Sequence, residues 1–196
     1  MFFYRFLVLL GRPLARLVFR PRVTGTENLP RTGGCVISPN HLSGFDVLAI
    51  AFAAAPRPLR GMAKNELFRR PLLGPFVRSV GAFSARREGR LRSGIDEASA
   101  LAAAGDAVLI FPEGARRRGR VRRPRAGAAR TALRAGVPLV PAAIRGTDGW
   151  RRLRRWQIAF GAPIPLDDLA DHEIHAAARE ATRRLWDQVT RLETGL

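Results

Sequence analysis

The chain has 196 residues, 46% of them hydrophobic, and a formal net charge of +18. That apolar content is enough for one packed domain and excludes a disordered chain, while a single cysteine, Cys35, excludes an internal disulfide. Against 34 basic residues there are 16 acidic ones, so the positive field is left uncancelled and favours an anionic bilayer, phosphorylated substrates or nucleic acid.

Residues 1–10 form an apolar run broken by Arg5 and followed, within an N-terminal segment 1–22, by Arg12, Arg16, Arg20 and Arg22. The run is well short of the roughly 20 residues that a spanning helix needs. It predicts an amphipathic helix lying on a membrane surface, with Phe2, Phe3, Phe6, Leu7 and Leu10 as apolar anchors. The acting domain is expected over 23–196. Residues 24–34 read as turns, punctuated by Pro30 and the pair Gly33–Gly34. A strand follows at 35–37, a polar turn at 39–46, and an apolar helix from Asp46 that Pro56 stops. A second strand is predicted at 60–63, short helices before Pro71 and over 72–80, and a weak strand at 81–85.

Ser93 and Asp96 form a capping box for a helix that ends at Gly105. Residues 107–111 are the clearest buried strand. Arginines at 116, 117, 118, 120, 122, 123 and 125 come next, then a helix over 128–135. The strand at 139–144 contains Pro141, which predicts an edge or a bulge. A last strand is placed at 156–160. A final helix over 171–193 aligns Ile174, Ala178, Ala181, Leu185, Val189 and Leu192. Strands alternating with helices predict a single α/β domain, its mostly parallel or mixed sheet flanked by helices.

The chemistry concentrates at Asn40-His41-Leu42-Ser43-Gly44-Phe45-Asp46. His41 can take and return a proton near neutral pH. Asp46 can hold the imidazole in one tautomer, as a carboxylate does in a triad. Five positions span roughly 140° of helix, so the two cannot share a helical face. His41 therefore belongs to the turn and Asp46 to the first helical turn. A purely structural alternative uses the same residues, with Ser43 as N-cap and Asp46 reaching back to it.

Three polar turns stand at predicted strand ends: at His41, at Arg86-Arg87, and at Pro112-Glu113-Gly114. In an open α/β sheet such ends face one cleft. With these blocks the chain resembles the glycerolipid acyltransferase family, whose lysophosphatidate acyltransferases make phosphatidate. The matching elements are Asn40, His41 and Asp46; Gly81, Ala82, Phe83 and Arg87; Phe111, Pro112, Glu113, Gly114 and Arg116; and Val137, Pro138 and Pro141. Arg86 stands where many members carry aspartate, and Ala115 where they carry threonine, which leaves other lysolipid acceptors open.

The resemblance implies transfer of an acyl group from acyl-CoA or acyl carrier protein to a lysophospholipid hydroxyl. It implies no bound cofactor and no metal, and a peripheral place on the cytoplasmic face of the membrane. In that chemistry His41 is the base and Asp46 orients it. Arg87 and Arg116 hold phosphate, while Asn40, Glu113 and Gly114 complete the substrate site, Glu113 either positioning one of these arginines or accepting from a hydroxyl of the glycerol. Backbone amides of Ser43 and Gly44, near a helix start, are candidates for the oxyanion. Two rivals are an acyl-enzyme on Ser43 or Cys35, and a basic nucleic-acid-binding module. For the latter the arginines lack interleaved aromatics except near Trp150 and Trp156, so no nucleic acid is expected. His172 and His175 flank Glu173 at helical spacing, but they read as a solvated first turn rather than metal ligands.

Overall fold

The computed structural model describes residues 2–63, 65–71, 73–79, 81–84, 94–117, 119 and 122–196. Arg86, Arg87 and Ser93 lie outside these residues. In chain order the elements are α1 (Phe2–Phe19), β1 (Arg22–Thr24), β2 (Cys35–Pro39), α2 (Asp46–Ala53), β3 (Leu59–Ala63), α3 (Asn65–Arg69) and α4 (Leu73–Ser79). They continue with β4 (Phe83–Ser84), α5 (Gly94–Ala103), β5 (Ala107–Leu109), α6 (Gly127–Ala135), β6 (Leu139–Arg145), β7 (Gln157–Phe160) and α7 (Ile174–Thr194). A 3₁₀ segment, Thr147–Arg152, joins β6 to β7.

The strands make one sheet in the order β1-β7-β6-β2-β5-β3-β4. Five of them run parallel, while β7 is antiparallel to β6 and β1 runs with β7. The central strands are buried on both faces, which is why they read as unbroken apolar runs rather than alternating ones. Cys35, Ile37, Ala107, Leu109, Val140, Ala142 and Ile144 point into one core, shared with buried residues of α1 and α2. Val36, Val108, Ile110 and Leu139 point into the other, against α5, α6 and α7. A period of two thus sorts each strand between two helical layers.

Three elements differ from the sequence reading. β1 was read as part of the basic segment and the turns; it is three residues long with mostly exposed side chains, too short for a period to show. Its pairing with β7 makes it a strand. β6 is interior, between β2 and β7, so Pro141 does not mark an edge. The bulge alternative holds instead. Between the pairs Ala142–Phe160 and Leu139–Ile164 the β7 side carries one extra residue, and Gly161 N donates to the Pro141 carbonyl at 2.9 Å. Lastly, α7 begins at Ile174, because the Glu173 carboxylate caps it by accepting from the amides of His175 and Ala176.

α1 packs along the domain. Tyr4 and Ala15 are buried in the core, and a Cβ on Gly11 would lie 2.7 Å from the Phe52 ring, so glycine permits the close approach to α2. Its opposite face stays outside: Phe6, Leu9, Leu10, Leu14 and Leu17 are 49–78% exposed. Leu7 is half-buried, and the side chains of Phe2 and Phe3 lie outside the described set. No described helix is long and apolar enough to cross a membrane.

Where β2 ends, a side chain prolongs the ladder. Asn40 is fully buried; its Nδ2 donates to the Ile144 carbonyl at 2.9 Å and its Oδ1 accepts from Ile144 N at 2.7 Å. The amide thus imitates one more residue of backbone pairing. Asn40→Ala should lower the unfolding free energy by about 1–3 kcal/mol for each Ile144 group left unpaired. A drop in the urea midpoint at unchanged m-value would register this.

Candidate active site

β2 and β5 are parallel neighbours, with Ile37 opposite Leu109, so the turns that follow them emerge side by side. The first carries His41. Its Nδ1 lies 2.8 Å from Asp46 Oδ2, and Asp46, the first residue of α2, has no solvent exposure. The same Oδ2 accepts from Leu42 N at 2.6 Å and Ser43 N at 2.9 Å, while Oδ1 accepts from the buried Thr147 hydroxyl. A carboxylate only accepts, so Nδ1 carries the ring proton and the lone pair sits on Nε2. The ring is stacked on Phe111 at 3.9 Å between centroids.

The capping alternative and the tautomer-holding one therefore use one carboxylate at once. Ser43 does not cap α2; its Oγ accepts from Phe45 N at 3.1 Å. Because Ser43 N already donates to Asp46, that amide is not available to an oxyanion, which corrects half of the pair named from sequence. Gly44 N makes no backbone hydrogen bond among the described residues. Cys35 is wholly buried, and burial pushes its thiol pKa up, against a role as nucleophile.

The second turn follows β5. Gly114 has φ +68°, and a Cβ there would sit 3.2 Å from the Arg125 guanidinium, so the residue suits both the left-handed turn and the neighbour. Glu113 is 1% exposed. Its Oε1 accepts from His41 N at 3.1 Å, and both of its oxygens accept from Arg117 Nε, at 2.9 and 2.8 Å. Arg117 N in turn donates to the His41 carbonyl at 2.8 Å. Each turn is thus bonded to the other through both backbone and side chain.

Arg117 also donates through Nη1 to both oxygens of Glu193, at 2.7 and 3.0 Å, near the end of α7. Burial works against its charge, but the bonds to Glu113 and Glu193 outweigh it and hold the guanidinium above its ordinary range. Arg116, the arginine taken from the motif, is exposed, and Arg87 lies outside the described residues. Sequence reasoning missed Arg117, Thr147 and Glu193. The four-residue step from Glu113 to Arg117 was a visible signal for the first. Nothing local marks the other two. Among the described residues no group of His, Cys, Asp and Glu could hold a metal ion.

Removing one partner of a buried ion pair strands the other charge and typically costs about 3–5 kcal/mol. Arg117→Ala should therefore destabilise strongly and Arg117→Lys less, as measured by chemical unfolding. An alanine variant as stable as the wild type would mean that Glu113 is not held as described.

A family profile described as Acyltransferase matches residues 20–145, the span that holds both turns. Two curated proteins named 1-acyl-sn-glycerol-3-phosphate acyltransferase are similar. That of Bacillus subtilis is 32% identical over 178 residues, covering 89% of each chain. That of Streptococcus pneumoniae is 32% identical over 149 residues, covering 74% of this chain and 55% of the relative. The crystal structure of the 1-acyl-sn-glycerophosphate acyltransferase from Thermotoga maritima superposes with a TM-score of 0.71 at 22% identity, over 94% of this chain and 78% of that one, which establishes the shared fold. A match across most of the domain, with the His41 and Glu113 turns inside it, makes this chain a member of the acyltransferase family.

Proposed function

We propose that the protein moves a fatty acyl group from a thioester to the free hydroxyl of a lysophospholipid, with lysophosphatidate as the acceptor. The observation that carries this reading is the His41–Asp46 pair: a 2.8 Å contact to a buried carboxylate on Nδ1, with Nε2 left as a base. The names of the Bacillus and Streptococcus relatives support the acceptor.

In this mechanism Nε2 of His41 takes the proton of the acceptor hydroxyl as its oxygen attacks the thioester carbonyl. The tetrahedral intermediate collapses, the carbon–sulfur bond breaks, and the imidazolium returns its proton to the departing thiolate. Asp46 stabilises the imidazolium between these two events. The amide of Gly44 is the remaining candidate for the oxyanion. Arg116 and Arg87 are assigned to phosphate, for which a planar guanidinium is the suited donor. Glu113 is a positioning residue: its oxygens are committed to Arg117 and the His41 amide rather than to glycerol. Asn40 likewise anchors the turn. The donor is acyl-CoA or acyl carrier protein.

With pure protein, acyl-CoA and a panel of lysolipids, thiol release should be fastest with lysophosphatidate. His41→Ala should lower turnover by about 10²–10⁴-fold, the usual cost of losing a general base. Asp46→Asn should lower turnover with little change in KM. Near-normal turnover in the His41 variant overturns the mechanism, and preference for another lysolipid overturns the acceptor.

The same proposal places the protein peripherally on the cytoplasmic face of the membrane. The outer face of α1 supplies exposed leucines, and Arg12 and Arg16 add charge beside them. Stable attachment generally takes two such signals. The double variant Leu14→Asp/Leu17→Asp should lower sedimentation with anionic vesicles and spare transfer to a soluble short-chain acceptor. Unaltered sedimentation would mean that α1 does not face lipid.

A further inference from the structure

The segment joining β6 to β7 carries Trp150-Arg151-Arg152-Leu153-Arg154-Arg155, and nothing in the mechanism uses it. It is a closed loop rather than a frayed one. Gly149 N donates to the Gly146 carbonyl at 3.2 Å, Leu153 N to the Trp150 carbonyl at 3.1 Å, and Arg154 N to the Gly149 carbonyl at 3.3 Å. Gly146 has φ +88°, and a Cβ there would lie 2.1 Å from the Arg155 carbonyl, so the two ends of the loop touch.

On this ordered frame two large apolar side chains stand outside: Trp150 is 40% exposed and Leu153 is 54% exposed. Leu153 adopts φ +49°, a region where glycine is the usual choice. A leucine there accepts strain to put an apolar side chain at the turn. Arg151, Arg152, Arg154 and Arg155 surround the pair and are exposed, with Asp148 the one acid between Thr147 and Arg155. An exposed indole and an exposed leucine among arginines make the composition of a headgroup interface.

The loop lies between α1 and the site. Arg155 Nε donates to the Arg20 carbonyl at 3.0 Å and Trp156 N to the Phe19 carbonyl at 3.2 Å, so its end meets the C-terminal end of α1. Its other end begins with Thr147, which donates to Asp46. The Trp150 ring lies 5.1 Å from that of Phe45, the residue before Asp46.

We infer that Trp150 and Leu153 form a second membrane-contacting element, seated in the headgroup region of an anionic leaflet by the four arginines. The inference rests on the bilayer reading of α1 and adds an independent contact. Its occupant is lipid, because the four arginines complement an anionic leaflet, because the loop's end is bonded to the C-terminal end of α1, and because the exposed leucine and indole match an acyl–headgroup boundary.

The full chain, mixed with phosphatidylglycerol vesicles brominated high on the acyl chain, tests this. Tryptophan emission should be quenched. Trp150→Phe should lose most of that quenching while still sedimenting with the vesicles, since Trp156 is 2% exposed and Trp186 packs beneath Arg117. Leu153→Asp should weaken vesicle binding by about tenfold, the equivalent of withdrawing one leucine from lipid. It should leave transfer to a soluble short-chain acceptor unchanged.

If Trp150 in vesicle-bound protein escapes quenching, or Leu153→Asp binds as tightly as wild type, the inference falls while the α1 reading stands. Quenched Trp150 in a protein whose Leu14→Asp/Leu17→Asp variant still binds would reverse that outcome. A Leu153→Asp variant that keeps vesicle binding but raises KM for an acyl-carrier-protein thioester overturns it in favour of an acidic protein partner.

Discussion

The site depends on one carboxylate taken out of water. Asp46 has no exposure, yet its oxygens accept from the His41 ring, two backbone amides and the Thr147 hydroxyl. A buried carboxylate is tolerable only when paired and hydrogen-bonded, so its presence constrains everything around it. The turn must curl to bring the Leu42 and Ser43 amides inward. The chain after β6 must return a hydroxyl to the same point. The imidazole is then held by a group whose own position is fixed from three directions.

The parallel sheet does the rest of the positioning. Because β2 and β5 are neighbours in register, residues 72 apart in sequence, His41 and Glu113, end up bonded without any long loop. Glu113 and Arg117 form a second buried electrostatic centre beside the first. Such pairs add little to stability compared with apolar packing of the same volume. What this one supplies is register, since each turn supplies backbone donors or acceptors to the other. The reversed strands β7 and β1 bring the end of α1 and the Trp150 loop to the same end of the strands as His41.

Much of this was legible beforehand, for physical reasons that differ by element. The central strands were legible because burial on both faces leaves unbroken apolar runs. The turns were legible because glycine, proline and polar residues punctuate those runs, and α6 ends at Gly136 because its left-handed φ favours glycine. His41 and Asp46 could be placed on turn and helix from spacing alone. β1 could not be read, because three residues with exposed side chains have no period. Pro141 was half legible: proline said that the ladder is interrupted but not that the strand is interior. Arg117 was missed because the motif points to Arg116, and side-chain direction in an irregular turn is not a function of position in a motif. Thr147 and Glu193 were invisible because their partners lie 101, 76 and 153 residues away in the chain.

Those separations bear on how the site can fail. Glu193 of α7 accepts from Arg117 and, at 3.3 Å, from Asn40, while its carbonyl accepts from Arg145. The His41 turn is therefore tied to the neighbouring strands β6, β2 and β5 and to the C-terminal helix at once. Loops that carry function usually belong to the least stable, locally opening part of a protein. Here the catalytic turn belongs to the same cooperative unit as the sheet, so heat should take activity and tertiary structure away together.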